Sequence, residues 1–524
     1  MDGPTAPEGT PTASAGLMTA MTFTTETNKP RTLILCFDGT ADQFSDTNTN
    51  VVKLYSLFKK EESEQLCYYQ PGIGTYLNDG VVSPFFEWGA KILDQGVAWY
   101  LDAHVRGGYQ FLMQNYRPGD KICIFGFSRG AYTARALAGM LHKASIIGLL
   151  PKNNPEQIPF AYKLYKHTDA KSIELAEGFK STFCREVKIE FVGVWDTVAS
   201  VGMLVSRTLP FIANNTTIKT FRHALSLDEH RAKFRPNLYH RPDTTKAPQT
   251  KSTRKQNTEK PADKGKGRTF WPFSLGNAKN KLTKRATKRT STDAAWSDLP
   301  SAAAELRWGR GSADEKVEKL NTGADVLEVW FAGCHCDVGG SAVTDDTKLS
   351  LADITLHWMV RQIVLAQCGI VFDREALLLA GIPASVFTGP GFPVTPPLPK
   401  KFADAQSERT VAHAGEPSSS TEGGDATMEE HHVPGMEKLR ALQPLHDQLW
   451  MAPLWWVLEI LPTSYNWQEH NGRWHTSWSL HLGQGRHLPP HPNFHITVKH
   501  RMDEKNLRYR PRAIWTPGTE VYVE

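Results

Sequence analysis

Four short apolar runs constrain this chain more than anything else in it. "RTLILCFDGT" (31–40), "KICIFGFSRG" (121–130), "VKIEFVGVWDTV" (187–198) and "DVLEVWFAGCHCDVGG" (325–340) each read as a buried strand that breaks off in a polar, turn-forming cluster. Residues 86–117 place apolar side chains at three- and four-residue spacing, the period of a helix, and Pro118-Gly119 stops it. After the second run, Ala131, Ala134, Leu137, Ala138 and Leu141 form one apolar stripe. Strands separated by helices imply βαβ units. The expected fold is therefore α/β, a mostly parallel central sheet flanked by helices.

In such a sheet ligands gather at the carboxyl ends of the strands. The first run delivers Asp38-Gly39-Thr40 there, the second Ser128, the third Asp196 and the fourth His335. A serine, an acid and a histidine in that order match the order used by the α/β-hydrolase fold. A nucleophile on a strand-to-helix elbow sits in strained dihedrals, so the positions two before and two after it must be small. Gly126 and Gly130 occupy them. The helix start beyond the serine aims backbone N–H groups at a developing oxyanion, with Arg129 as one donor and Gly39-Thr40 as the candidate for a second. His335 would take the proton of Ser128, and Asp196 would fix the imidazole tautomer.

Each assignment has a plainer competitor. Ser128 could be a turn residue, and Asp196 a cap on the next element. His223 and His230, in "FRHALSLDEH", compete with His335 and read as helical. Asp38 and Asp337 are accessory candidates: Asp337 either orients the "DVGG" loop or replaces Asp196 as the acid. Two other chemistries share part of a motif with this chain. "CFDGT" lacks the first aspartate of an aspartyl-phosphate phosphatase, since Cys36 stands there, which closes that route. Cys123, Gly126 and Arg129 match C-x-x-G-x-x-R of cysteine phosphatases, but the bulky Ile124, Phe125 and Phe127 would crowd a phosphate loop. A non-catalytic binding or scaffold protein on the same fold is the other alternative.

With 524 residues, 40% hydrophobic and 22% charged, the chain can bury a large core. The seven cysteines show no paired spacing, as expected of a reducing compartment. Neither a secretory signal nor an apolar run of membrane-spanning length is apparent, so an intracellular, cytoplasmic location is expected. Residues 1–30 read as a disordered tail and 31–390 as the catalytic domain. That domain is interrupted at 241–300 by a disordered insertion. Residues 241–290 hold 15 Lys/Arg against three acids, so the rest of the chain is net acidic although the whole is +5. The run "KNKLTKRATKR" in it has the composition of a nuclear address, though such runs are more often solvated basic loops. Residues 391–435 read as a low-complexity linker, and 436–524, with seven of the 15 tryptophans, as a segment packing on the core. Trp455 and Trp456 in it could face lipid, giving a peripheral membrane contact, or pack internally. No cofactor, metal or nucleic acid is expected.

Five motifs in order carry a resemblance: "LILCFDGT", "YQPGIGT", "GDKICIFGFSRGAYTARALAGML", "FVGVWDTVAS" and "WFAGCHCDVGG". They resemble the α/β-hydrolase domain of the type VI secretion phospholipase effector-like family, over about 31–240 and 320–390. The C-terminal "PLWWVLEILP", "HITVKHRM" and "YRPRAIW" resemble fungal members. The resemblance implies a serine esterase acting on acyl esters, phospholipids foremost, with the family's serine, aspartate and histidine falling on Ser128, Asp196 and His335. Ala332, Cys334 and Cys336 stand where Pro, Val and Ser are more usual, and none of them removes a catalytic group.

Overall fold

The computed structural model describes Gly3 and residues 30–39, 42–72, 94–142, 148–198, 215–239, 324–382, 434–468 and 474–524, less Glu62, Thr168 and Thr216. Nearly all of the N-terminal tail, the basic insertion 241–300 and nearly all of 391–435 lie outside the described residues, as does Thr40. Ten strands are present among those described: β1 (Thr32–Phe37), β2 (Gln65–Gln70), β3 (Lys121–Phe127), β4 (Ile189–Trp195), β5 (Ile218–Ser226), β6 (Asp325–Phe331), β7 (Pro462–Gln468), β8 (Trp474–Leu480), β9 (Asn493–His495) and β10 (Val521–Val523). Eight of them form one sheet in the order β10-β9-β6-β5-β4-β3-β1-β2, and every neighbouring pair runs parallel. The hairpin β7–β8 stands apart from it. The helices before the C-terminal segment are α1 (Asn50–Ser56), α2 (Asp94–Asn115), α3 (Ser128–Met140), α4 (Ile158–Lys166), α5 (Ala170–Phe183), α6 (His335–Gly339), α7 (Leu351–Ala366) and α8 (Arg374–Leu379).

Parallel strands need crossovers, and crossover helices cover both faces of the sheet, so the strands can be apolar throughout. All six residues of β1 are buried. Leu33, Leu35, Ile122, Ile124, Val192 and Val194 face one helical layer, where they meet Tyr109 of α2, Leu137 of α3 and Tyr165 of α4. Ile34, Cys36, Cys123, Phe125 and Phe191 face the other, against Val51 and Leu54 of α1 and Ile354, Trp358 and Ile363 of α7. This is an α/β-hydrolase-like architecture. The order reverses at β1: β2 lies on one side and β3 on the other, so the crevice at their carboxyl ends is bounded by Asp38 and Ser128.

Two readings of the sequence change here. Residues 218–226, with His223 among them, form strand β5 and not a helix. Phe221, Ala224 and Leu225 mimic helical spacing because β5 is covered on both faces and so lacks a two-residue alternation. The C-terminal segment does more than cover the core. Its β9 pairs with β6 and its β10 with β9, and Phe494, Val498 and Tyr509 close a third apolar cluster with Leu225 and Trp330. Phe494→Ala should therefore cost about 3–5 kcal/mol. Urea unfolding followed by far-UV and near-UV signals checks this, and a loss below about 1 kcal/mol would mean the segment is only loosely attached.

Candidate active site

β3 ends at Phe127, and Ser128 begins α3 at φ +58°, in the left-handed region that costs a non-glycine residue about 1–2 kcal/mol. The strain is held by packing on either side. A Cβ on Gly126 would lie 2.5 Å from the Gly130 carbonyl oxygen, and one on Gly130 would lie 2.2 Å from that of Phe37. The spacing of glycines about the serine is thus dictated by backbone touching backbone. No side chain caps the start of α3.

Three strand ends meet at this elbow. His335 opens α6 after β6 and places its Nε2 2.8 Å from Ser128 Oγ. Its Nδ1 lies 2.5 Å from Asp196 Oδ2, at the end of β4. All three side chains are buried. The imidazole sits between the rings of Phe127 and Phe234, at centroid distances of 4.6 and 4.8 Å. Asp196 also has positive φ, at +38°, so two of the three residues sit in strained backbone.

Arg486, which the sequence reading missed, completes the arrangement. Its Nη1 and Nη2 donate to Asp196 Oδ1 and Oδ2 at 2.6 and 2.9 Å, and the Ser226 N–H donates to Oδ1 at 3.0 Å. The carboxylate therefore has four donors. Arg486 also donates to the carbonyls of Ser226 and Phe234. It stands 290 residues from Asp196 in a glycine-rich loop, "LGQGRH", with no period to mark it. Glu229 was missed as well. It accepts the His335 N–H at 3.3 Å and is clasped by Arg231, whose guanidinium lies over the Phe234 ring.

The remaining candidates fall elsewhere. Asp38 accepts from Gly39 N–H at 2.8 Å, Thr49 at 2.7 Å and Tyr69 at 2.7 Å, and so braces the end of β1. This corrects the expectation for Gly39: its N–H is held by the neighbouring carboxylate, because burial leaves Asp38 dependent on nearby donors. Asp337 accepts from Cys334 N–H and His446 N–H, each at 2.9 Å, and faces His446 Nδ1 at 2.7 Å, tying its loop to the C-terminal segment. His223 is locked between Thr197 N–H and Glu328, and His230 between Gly483 and Asp447. Cys123 is fully buried in mid-strand, and burial pushes its thiol well above the usual range. Trp455 packs on Phe234 and Trp456 on Trp450, both half-buried, whereas Trp450, Met451, Val457 and Ile460 are exposed. Among the described residues no helix is long and apolar enough to cross a membrane.

Residues 31–362 match the family described as the T6SS phospholipase effector Tle1-like catalytic domain. The chain belongs to that family. An uncharacterized protein of Saccharomyces cerevisiae is 30% identical to it over 557 aligned residues, spanning 92% of this chain and 80% of that one. Among solved structures, an uncharacterized protein from Pseudomonas aeruginosa is 16% identical, covering 74% of this chain and 51% of its own, with a TM-score of 0.31. The Tle1 effector bound to the VgrG spike of the type 6 secretion system is 19% identical, covering 40% and 47%, with a TM-score of 0.21. The chain thus spans about half the length of these two structures, and the likeness to both is loose. At family level the Tle1-like domain is a phospholipase-type, lipid-ester hydrolase domain.

In this Tle1-like domain the buried charges are balanced in pairs. Burial alone would raise the Asp196 pKa, but Arg486 and then His335 outweigh it and hold the carboxyl well below its usual range. Glu229 behaves alike: burial raises it, Arg231 outweighs burial, and it settles at about 2. For His335 burial wins over the attraction of Asp196, and the imidazole is held below its ordinary value. Carboxylates with depressed folded pKa values stabilise fully above their unfolded values of about 4, and lose that contribution as pH falls through the folded ones. The urea midpoint should therefore drop steeply between about pH 4.5 and 2. In Arg486→Met, which leaves Asp196 with only the His335 imidazole and the Ser226 N–H and no cation beside it, stability at pH 7 should fall by about 3–5 kcal/mol. An unchanged pH 7 midpoint in that variant would contradict the pairing.

Proposed function

We propose that the chain is a serine hydrolase that cleaves carboxylic esters of lipids, phospholipids foremost, through an acyl-Ser128 intermediate. The observation that carries this reading is the unbroken hydrogen-bond path Ser128 Oγ–His335–Asp196 at a strained elbow. In the first step the Ser128 oxygen attacks the ester carbonyl carbon while its proton passes to His335 Nε2. Asp196 keeps the Nδ1 proton in place and stabilises the imidazolium without becoming protonated itself. The tetrahedral oxyanion is met by the Arg129 N–H at the start of α3, with the Thr40 backbone as second donor; one such donor contributes about 10²–10³ in rate. His335 then returns the proton to the leaving alcohol. Water repeats the sequence on the acyl-enzyme and releases the fatty acid.

Burial supports His335 as the base. A proton acceptor must be neutral, and a depressed pKa keeps it neutral at lower pH. The acid limb of kcat/KM for a neutral ester should accordingly fall below the ordinary histidine value of about 6.5. A limb at or above that value would argue against His335 in this role.

A fluorophosphonate probe should label the wild-type protein and spare Ser128→Ala. Well-folded wild type that does not label would favour a non-catalytic member of the fold. His335→Ala should lower kcat by about 10⁴-fold or more, whereas His223→Ala, assayed where it is folded, should keep turnover within about tenfold. The reverse result would move the base to His223. A panel of phospholipids beside short neutral esters then separates phospholipase from general esterase.

A further inference from the structure

Two carboxylates and two guanidiniums are buried around the His335 imidazole, and they close on one another in pairs. Asp196 takes Arg486, and Glu229 takes Arg231. The other titratable groups beside this cluster, among the described residues, add no unbalanced charge. Loss of hydration raises the thiols of Cys334 and Cys336, the latter to about 12, and lowers the imidazole of His223 on β5, so all three are neutral at pH 7. Asp337, in the same turn as His335, is matched by His446. The buried pairs sum to zero, and a resting imidazolium would be the odd charge among them.

The Asp196–Arg486 pair has a geometry that charge alone does not require. Nη1 and Nη2 meet the two carboxylate oxygens side by side, at 2.6 and 2.9 Å. Each nitrogen gives its second hydrogen to a backbone carbonyl, Nη1 to Ser226 and Nη2 to Phe234. With the terminal N–H bonds of the fork all engaged, the plane of the carboxylate is fixed. Its Oδ2 is the oxygen shared with His335 Nδ1. Phe234, whose carbonyl holds Nη2, also sets its ring 4.8 Å from the imidazole. The arginine that does this lies in the C-terminal segment, well beyond residue 362, where the family match ends.

We propose that Arg486 is a positioning residue of the triad, holding the Asp196 carboxylate edge-on to His335 and cancelling its charge so that the resting imidazole is neutral. This rests on the hydrolase reading above and extends it, since the catalytic unit then includes the C-terminal segment. Proton transfer from Ser128 creates the imidazolium together with the oxyanion, so the buried cluster stays balanced through that step. Without Arg486 the Asp196–His335 pair takes up a proton at higher pH, and the base is occupied before substrate arrives.

The acid limb of kcat/KM for p-nitrophenyl butyrate, measured on the full chain, reads this role. Arg486→Gln keeps an N–H donor and loses the charge, and the limb should move up by about one pH unit or more. Arg486→Lys keeps the charge and loses the fork. Its limb should stay within about half a unit of wild type, while kcat falls about tenfold to a hundredfold. A purely structural role would reduce the amount of active protein and leave the limb in place. An unmoved limb in folded Arg486→Gln would overturn the charge role. A kcat within about twofold of wild type in Arg486→Lys would overturn the positioning role, whether or not Arg486→Gln folds. The proton on His335 Nδ1 gives a readout that needs no turnover. Its downfield NMR resonance, assigned by its loss in His335→Ala, should titrate at higher pH in Arg486→Gln than in wild type. Wild type that the fluorophosphonate fails to label counts against the hydrolase reading alone. Labelled wild type, with the same titration midpoint in Arg486→Gln, removes Arg486 from the mechanism and leaves that reading standing.

Discussion

The Asp196 carboxylate is the point on which this structure turns. It is fully buried and charged, a state that is costly in a medium of low dielectric unless every lone pair is met. Four donors meet it, and they come from three parts of the chain: the end of β5, the start of α6, and the loop before β9. The same set of contacts therefore holds the imidazole in register with Ser128 and locks the C-terminal segment to the sheet. Removing any one donor leaves the others serving a charge they cannot neutralise alone.

The elbow adds a second constraint of a different kind. Electrostatics orients His335, but the position of Ser128 is set by repulsion, through backbone contacts at Gly126 and Gly130 that leave no room for a methyl group. Hard sterics sets the position of Ser128, and the softer ionic pairs bring His335 to it. All three side chains stand at strand ends of a parallel sheet, and regular elements hold side chains more precisely than loops do.

What could be read from the residues alone follows the same division. Local rules exposed the elbow: a strand, two glycines and a helix within fifteen residues need no tertiary knowledge. The strand-end positions of Asp196 and His335 were legible because each closes an apolar run. They are the residues that the structure brings within hydrogen-bond distance of one another and of Ser128. Arg486 was not legible, since a buried arginine pairing across 290 residues looks like any surface arginine until the chain is folded. β5 was misread for a related reason. Arg222 and His223 look too polar for a core strand, yet Asp325, Gln362 and Glu328 satisfy them on neighbouring elements. The strands β9 and β10, three residues each, are too short to carry any periodic signal.

Chain order gives the Asp196–Arg486 pair a temporal side. A ribosome makes Ser128, Asp196 and His335 well before Arg486, which follows His335 by about 150 residues. At 5–20 residues per second the interval is roughly 8–30 s. Throughout it Asp196 has only the Ser226 N–H and the His335 imidazole as partners and lacks its cation. The carboxylate must stay hydrated, or the surrounding turn must stay open, until the segment carrying Arg486 arrives. The cluster around Asp196 is thus completed only after Arg486 has been made, and a shorter nascent chain carries Ser128, Asp196 and His335 without that counter-charge.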